Sequence, residues 1–300
     1  MKRFKRIIVA LELNDSDIAV LGMTSRIAAW AEPEEIIFCH YNPKVQIPPT
    51  LRQNHPRLFE KMDKAAMEKM EQAVYTEAKI PVTTRCTIHL DSGNPVLSIL
   101  SKILEQQCDL VIVGSKLPQT AVRLARKATC SVCVVPPDSK TQVLKPLVAV
   151  DFSDHSRYAS DIAFALAAAS YSLPPALLNV SETILGDPWV DLPREEITSA
   201  NESYAQVAMQ NFLLGLGRPQ EAFSTHIVSH HSAASGVLEF ATAHGFDCIL
   251  AGCRGKDSMS PLLLGNNIEE IINHAQVPVI AVKTKGTGRE FVEEILGMRS

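Results

Sequence analysis

The sequence predicts an α/β fold made of two tandem doubly wound domains, each built on a five-stranded parallel sheet. Three observations carry this prediction. The chain has 300 residues, which at roughly 150 residues per domain favours two domains. Short apolar runs alternate with amphipathic stretches of helical length, which is the pattern of βαβ units whose sheet is covered on both faces. The same order of elements then occurs a second time along the chain.

The two copies can be matched element by element. The predicted elements of the first copy are a strand in 7–17, a helix in 18–30, a strand in 36–42, a long amphipathic helix in 59–79, and strands in 108–116 and 131–136. Their counterparts in the second copy are 147–156, 158–169, 176–182, 195–216, 246–256 and 278–283. Val9 falls on Val148 at an offset of 139, the fourth strands align at 138, and the last strands align at 147. The second copy therefore carries nine extra residues between its fourth and fifth strands.

The repeat sets the domain boundaries. We predict a first domain over 1–142 and a second over 143–284, joined by the polar stretch Pro137–Lys145. Residues 285–300 follow as a linker and a C-terminal helix. One face of that helix is apolar, formed by Phe291, Val292, Ile295 and Leu296. Such a stripe either docks on the protein's own body or forms a contact in a dimer.

Composition excludes several function classes. The apolar runs are shorter than the roughly 20 residues of a membrane span, and the apolar stretch Ile7–Leu11 is too short for a signal peptide. A net charge of −4 gives no reason to expect a nucleic-acid partner. The seven cysteines are an odd number, which favours a reducing compartment over a disulfide framework. We therefore expect a cytoplasmic protein with no membrane span and no nucleic-acid partner.

The total charge conceals a difference between the copies. Residues 1–142 carry 19 Lys and Arg against 15 Asp and Glu, whereas residues 143–300 carry 10 against 18. One Cys-x-x-Cys pair, Cys130 and Cys133, lies in an apolar strand pattern. A strand directs its first and fourth residues to opposite faces, so a buried structural role is favoured and redox or metal chemistry is the alternative.

The nine extra residues belong to a glycine-rich loop. Gly252, Gly255 and Gly265 have the spacing G-x2-G-x9-G, and Asn266 and Asn267 follow at the start of a predicted helix. Glycines let a backbone approach phosphate oxygens closely, and the first N–H groups of a helix favour an anion. The asparagines can cap the helix and donate hydrogen bonds. The spacing is neither the G-x-G-x-x-G fingerprint nor a P-loop, so a purely structural turn stays an alternative.

With these residues, the second copy resembles a universal stress protein domain. Nucleotide-binding members of that family carry G-x2-G-x9-G-[ST] after the fourth strand, an Asp that ends the first strand, and A-x-x-P-V before the last strand. The matching residues here are Gly252, Gly255, Gly265, Asp151 and the segment Ala275–Val279. At the level of strands and helices, the resemblance covers both copies, as in tandem members of the family. It implies a nucleotide α-hydrolase-like fold.

Two departures from the family pattern affect the expected site. Asn266 stands where the family has Ser or Thr, which keeps a hydrogen-bond donor but changes its geometry. The first copy retains Gly114 but lacks the rest of the loop, and Glu12 stands at the position of the family's Asp. The resemblance thus implies one nucleotide site in the second domain and a degenerate first domain.

The implied ligand is ATP, with or without Mg²⁺, bound beyond the carboxyl ends of the second-domain strands. Asp151 would hydrogen-bond adenine or ribose, the backbone of Val180 would pair with the adenine edge, and the ring would stack near 150–152. Arg254 would neutralise phosphate charge. The predicted binding residues are Asp151, Phe152, Ser153, Val180, Gly252, Arg254, Gly255, Gly265, Asn266 and Asn267. We predict no catalytic residues and no metal ligands, since His226, His230 and His231 lack a partner that spacing can supply.

Three functions are compatible with this pattern. The favoured one is a stress-response module that binds an adenine nucleotide and acts as a sensor or regulator. An enzyme, such as a slow ATP hydrolase or a nucleotidyl transferase, would need a further signal near the first strand, and segment 151–156 has no glycine and one His. A scaffold that has lost nucleotide binding is the third. The resemblance also implies a homodimer, or a pseudo-dimer of the two domains across their fifth strands, and a protein partner that the sequence does not name.

Overall fold

A computed structural model of the chain divides into two compact units. The structure describes residues 4–43, 49–115, 118–139, 145–169, 173–182, 194–253, 264–284, 286, 289, 292–293 and 296–297. The first unit comprises Met1–Thr141 together with Lys285–Ser300, and the second comprises Gln142–Thr284.

The first unit is a parallel sheet covered by helices. Its described elements are β1 (Arg6–Leu11), α1 (Asp17–Ala31), β2 (Glu35–Pro43), α2 (Pro49–Asn54), α3 (Pro56–Glu77), β3 (Arg85–Gly93), α4 (Pro95–Gln106), β4 (Leu110–Gly114), α5 (Pro118–Lys127) and β5 (Ser131–Val135). The strand order is β3-β2-β1-β4-β5, and all neighbours pair in parallel. Strands β4 and β5 are buried along their whole length, as expected for a sheet with helices on both faces.

The second unit repeats this architecture. Its described elements are β6 (Pro146–Ala149), α6 (Asp154–Ala169), β7 (Ala176–Glu182), α7 (Arg194–Leu216), a 3₁₀ turn (Gln220–Ala222), β8 (Ser224–His230), α8 (Ala233–Ala243), β9 (Cys248–Gly252), α9 (Asn266–His274) and β10 (Val279–Val282). The order β8-β7-β6-β9-β10 is again parallel throughout. The predicted fold class, with a five-stranded doubly wound sheet in each half, is confirmed.

The strand registers reproduce the offsets read from the sequence. Residues in register are Val9, Phe38, Ile112 and Cys133 in the first sheet, and Val148, Leu177, Leu250 and Ile280 in the second. These pairs are separated by 139, 139, 138 and 147 residues. The nine-residue difference therefore lies between the fourth and fifth strands of the second unit, after β9.

The C-terminal segment groups with the first unit rather than standing apart. The N–H of Gly286 donates to the carbonyl oxygen of Thr129 over 2.8 Å, and Val292 is fully buried. Phe291 and Ile295, two members of the predicted apolar stripe, lie outside the described residues.

The cysteines are mostly interior residues. Cys130 and Cys133 are buried, and burial raises the pKa of the Cys133 thiol, which keeps it protonated. This environment fits a packing role for the pair better than redox chemistry. In the part of the chain that the structure covers, no helix is long and apolar enough to cross a membrane.

Candidate functional site

The second unit has a cavity at the carboxyl ends of its central strands. In the order β8-β7-β6-β9-β10, the chain connections reverse direction between β6 and β9, and ligands of doubly wound sheets bind at such a point. The cavity there measures about 610 Å³, within the range of small-molecule sites. Its lining residues are Ala149, Val150, Asp151, Ser156, Leu178, Asn179, Val180, Ala233, Val237, Ala251, Gly252, Gly265, Asn266, Asn267, Ile268 and Ile271. We call it the switch-point cavity.

The structure brings together most of the predicted site residues that it describes. The predicted residues that line the cavity are Asp151, Val180, Gly252, Gly265, Asn266 and Asn267. Phe152 and Ser153 are described but do not line it. Arg254 and Gly255 lie outside the described residues.

Asp151 is fixed through one of its two carboxylate oxygens. Its Oδ1 accepts hydrogen bonds from the backbone N–H of Ser153 at 3.1 Å, from the Ser153 hydroxyl at 2.6 Å, and from the Ser156 hydroxyl. The Ser156 oxygen also accepts the backbone N–H of Asp151. Oδ2 makes no hydrogen bond with any residue that the structure describes, so it is available to accept one from a ligand in the cavity.

The ring of Phe152, a predicted binding residue, packs within the unit and does not line the cavity. Its φ of 65° places it in the left-handed region, which is unusual for a bulky residue. Its ring packs edge-to-face on Phe212 of α7, with centroids 6.0 Å apart. The apolar wall near the end of β6 is instead formed by Val150, Leu178 and Ile271. Leu13, the counterpart of Phe152 in the first unit, has a φ of 58°, so both units use the same turn after their first strand.

Asn179, in the middle of β7, is a site residue that the sequence did not predict. Its Nδ2 donates to the carbonyl oxygen of Val150 at 2.8 Å, which ties the end of β6 to β7 at the cavity. The repeat carried a signal for it, because His40 stands at the equivalent position in the first unit. His40 makes the same contact through Nδ1, which lies 2.8 Å from the carbonyl oxygen of Leu11.

A glycine brings α8 close to the cavity wall. A Cβ on Gly236 would lie only 2.8 Å from Cγ1 of Val180 and 3.0 Å from Cβ of His230. Any larger residue would therefore push α8 away from β7. This close approach places Ala233 and Val237 of α8 on the cavity.

The chain leaves β9 and returns to it at Gly265. The N–H of Cys253 donates to the carbonyl oxygen of Val282 at a distance of 3.0 Å. The N–H of Gly265 donates to the carbonyl oxygen of Cys253 at the same distance. The backbone of Gly265 has a φ of −62°, and a Cβ there would meet its nearest atom at 3.8 Å. Neither conformation nor packing in the described structure therefore requires glycine at this position.

The first turn of α9 faces the same cavity. Gly265 is the N-cap residue, and the helix start has no side-chain cap, so the predicted capping by Asn266 and Asn267 is not formed. The first N–H groups of a helix have no intrahelical partner and carry the positive end of its dipole. With Asn266, Asn267 and Ile268 lining the cavity, this helix start provides donors for an anionic group.

The first unit uses its equivalent position differently. The buried carboxylate of Asp17 accepts the backbone N–H groups of Glu12 at 3.0 Å and Leu13 at 2.7 Å, and burial raises its pKa despite these bonds. Glu12 accepts a bond from Asn14, and its Oε1 lies 3.6 Å from where a Cβ on Gly114 would stand. The acidic side chain therefore lies across the end of β4 and is engaged with the protein itself.

The histidines do not form a metal centre with other described side chains. Nowhere among the described residues are three His, Cys, Asp or Glu side chains grouped as metal ligands would be. His230 instead contacts Glu239 through Nε2 at 3.4 Å and the carbonyl oxygen of Ser232 through Nδ1 at 2.9 Å.

Comparisons with known proteins agree with the fold. A structure from Pseudomonas aeruginosa PAO1, described as a functionally unknown protein, matches with a TM-score of 0.67 and 15% identity over 99% of both chains. A universal stress protein from Archaeoglobus fulgidus DSM 4304 matches with a TM-score of 0.63 and 17% identity, over 94% of this chain and 99% of the other. No curated protein matches the sequence. The sequence model of the universal stress protein family matches twice, over residues 3–136 and 145–283. The chain therefore belongs to the universal stress protein family and carries two of its domains in tandem.

Proposed function

We propose that the second unit binds one adenine nucleotide, ATP, in the switch-point cavity, and that the protein acts as a nucleotide-dependent sensor or regulatory module in a stress response. One observation carries the proposal. A free carboxylate oxygen and an uncapped helix start face a single cavity of nucleotide size. A nucleotide presents ribose hydroxyl donors and an anionic phosphate chain, and these two features of the cavity complement them.

The apolar part of the lining supports a flat base, which the ribose separates from the phosphates. Val150, Leu178, Val180 and Val237 provide aliphatic surface for an adenine ring. Oδ2 of Asp151 would accept a ribose hydroxyl, because Oδ1 is already occupied by the two serines. A carboxylate repels phosphate, so the phosphates would extend away from it toward α9.

In this proposal, the phosphates bind at the start of α9 and at the residues around it. The N–H groups of Asn266, Asn267 and Ile268 supply partial positive charge without a full cation. The predicted contributions of Arg254 and Gly255 would add to them. Mg²⁺ with ATP would be held chiefly by phosphate oxygens and water, as is usual for this ion.

A binding module accounts for the site better than an enzyme does. No general base with a nucleophile and an orienting group is assembled among the described lining residues, and the Ser153 and Ser156 hydroxyls are engaged with the Asp151 carboxylate. Slow ATP hydrolysis by an ordered water is the second candidate. A scaffold that binds no nucleotide is the third candidate. The Glu12 carboxylate is hydrogen-bonded within the protein, which favours the scaffold role for the first unit alone.

Isothermal titration of the full chain with ATP tests the proposal. We expect binding by the wild type, none by Gly265→Asp because a carboxylate would face the phosphates, and weakened binding by Gly265→Ala. The alanine variant serves as the folding control, since the structure has room for a Cβ. Absence of heat with the wild type would favour the scaffold, and unchanged affinity in Gly265→Asp would place the site elsewhere. An overnight assay of ATP consumption separates the module from the hydrolase.

A further inference from the structure

A second cavity lies at the opposite edge of the second sheet, where β6 and β8 begin. It measures about 450 Å³, and its lining residues are Lys145, Leu173, Pro174, Glu221, Phe223, Ser224, His226, His244 and Phe246. We call it the amino-edge cavity. The switch-point cavity lies at the carboxyl ends of these strands, and the two cavities share no lining residue.

Aromatic rings form one side of the amino-edge cavity. The rings of His226 and Phe240 have centroids 4.9 Å apart, His244 stacks on Phe240 at 4.0 Å, and Phe246 stacks on the same ring at 5.9 Å. Phe223 adds a further buried ring to the lining. Such walls favour a flat ligand that can stack or pack edge-on.

Among the described lining residues, Lys145 is the cation that can pair with an anionic ligand, and Glu221 is the carboxylate. Lys145 places its ammonium 4.5 Å from the centre of the Phe246 ring and donates to the carbonyl oxygen of His244 over 2.7 Å. An ammonium has three donors, so two remain for a ligand. The groups facing His226 are Lys145 ahead of β6, Glu221 in the 3₁₀ turn and His244 at the end of α8. Asp247 is also near, but its carboxylate accepts the backbone N–H of Lys145.

His226 lines the same cavity, near Lys145 and His244. Burial lowers its pKa, and the neighbouring His244 and Lys145 lower it further. The imidazole is therefore neutral near pH 7 and gains a proton more readily when an anion sits beside it. Binding of an anion must then become stronger as the pH falls through the titration of His226.

In the described part of the first unit, no stack of rings like that of Phe240, His244 and Phe246 is found at the equivalent edge. Arg85 contacts Glu35 at 2.6 Å and Arg6 contacts it at 3.8 Å, so ion pairs occupy this place. The backbone clasp is the same in both units, because Asp109 accepts the N–H groups of Lys5 and Arg6 as Asp247 accepts that of Lys145. The aromatic cavity is therefore a feature of the second unit and not of the shared fold.

We propose that the amino-edge cavity binds a small planar aromatic anion, of the class of aromatic carboxylates, with the ring against Phe223 and Phe246 and the carboxylate at Lys145. The site is independent of nucleotide binding. Because the cavity is open to solvent, a small ligand would be only partly buried in it. Benzoate, used as a probe of this class, should therefore bind with a dissociation constant in the millimolar range.

Amide NMR titrations of the full chain test this site. We expect benzoate to shift the signals of residues 223–226 and 244–246, and benzyl alcohol, which has the ring without the charge, to bind at least about threefold more weakly. Affinity for benzoate should rise about threefold or more from pH 8 to pH 6, whereas affinity for benzyl alcohol should not change with pH.

Two variants make the assignment specific. Lys145→Met keeps the aliphatic stem and should lose most of the preference for benzoate over benzyl alcohol, whereas Lys79→Met, a matched change on the surface of the first unit, should keep it. His226→Asn should remove the pH dependence. The proposal is overturned if benzoate shifts only signals of the switch-point cavity, or if Lys145→Met binds benzoate as the wild type does. It is also overturned if benzoate at about 20 mM, a concentration that would reveal binding with a dissociation constant of roughly that size, causes no shift.

Discussion

Asp151 and Glu12 stand at equivalent positions of the two units, yet their carboxylates do different things. Asp151 is short, and its Oδ1 is held by Ser153 and Ser156 while Oδ2 is left for the cavity. Glu12 is one methylene longer and lies across the end of β4 near Gly114. In the first unit, the turn is held by Asp17 instead, at the position that Ser156 has in the second. Together with the loop that the first unit lacks, the residue types at these two positions distinguish the two units at the end of their first strands.

The structure brings the predicted residues together where the backbone alone decides their position. Asp151, Val180 and Gly265 line the cavity because strand ends of a parallel sheet meet at one edge. Phe152 was assigned to the site from its place in the sequence, but a left-handed backbone turns its ring toward Phe212. The apolar pattern of a strand does not predict a left-handed residue at this position, since bulky residues rarely adopt that conformation.

At the residue scale, we predict a pH effect on stability from His226. Its pKa is lowered in the folded protein, so the unfolded chain binds the proton more readily as the pH falls. Stability is therefore lost as the pH falls through the histidine range, and His226→Asn should lose less between pH 7.5 and 5.5 in urea unfolding. The same replacement at exposed His89 serves as the control. An equal loss of stability in wild type and His226→Asn would contradict this.

At the scale of elements, the predicted strand starts lie within two residues of the observed ones, whereas the predicted helix starts lie up to four residues away. The first helix of the second copy is predicted from Tyr158, but α6 begins at Asp154. Its first turn carries Asp154, His155 and Ser156, which are polar because this turn borders the Asp151 network. Apolar periodicity begins only after it, so hydrophobic pattern alone misses the turn nearest the site.

Two helix caps at equivalent positions give a matched prediction. Asn94 caps α4 by accepting the N–H of Leu97 at 3.2 Å, and Ser232 caps α8 by accepting the N–H of Ser235 at 3.3 Å. Asn94→Ala and Ser232→Ala should each cost about 1 kcal/mol in chemical unfolding. Only Ser232→Ala should also weaken ATP binding, because α8 lines the switch-point cavity. Weakened binding in both variants would point to a general loss of stability instead.

For the whole molecule, the repeat in the sequence predicts two copies of one fold, and it predicts that the second copy carries nine extra residues between its fourth and fifth strands. Matching offsets followed from strand registers that tolerate no slip when both faces of a sheet are buried. The lining of the amino-edge cavity is not predictable in this way, because Lys145, His226 and Phe246 come from separate elements and meet only in the folded unit. Length and composition average over two units that differ in charge and in their sites.

The central claim is that each chain holds one ATP and that the second unit holds it. The direct measurement is calorimetric titration of the full chain with ATP for the wild type and the paired variants Asp151→Asn and Glu12→Gln. We predict about one ATP per chain, an affinity lowered about tenfold or more in Asp151→Asn because the free Oδ2 acceptor becomes a donor, and an unchanged affinity in Glu12→Gln. Two ATP per chain, or equal losses in both variants, would contradict the account.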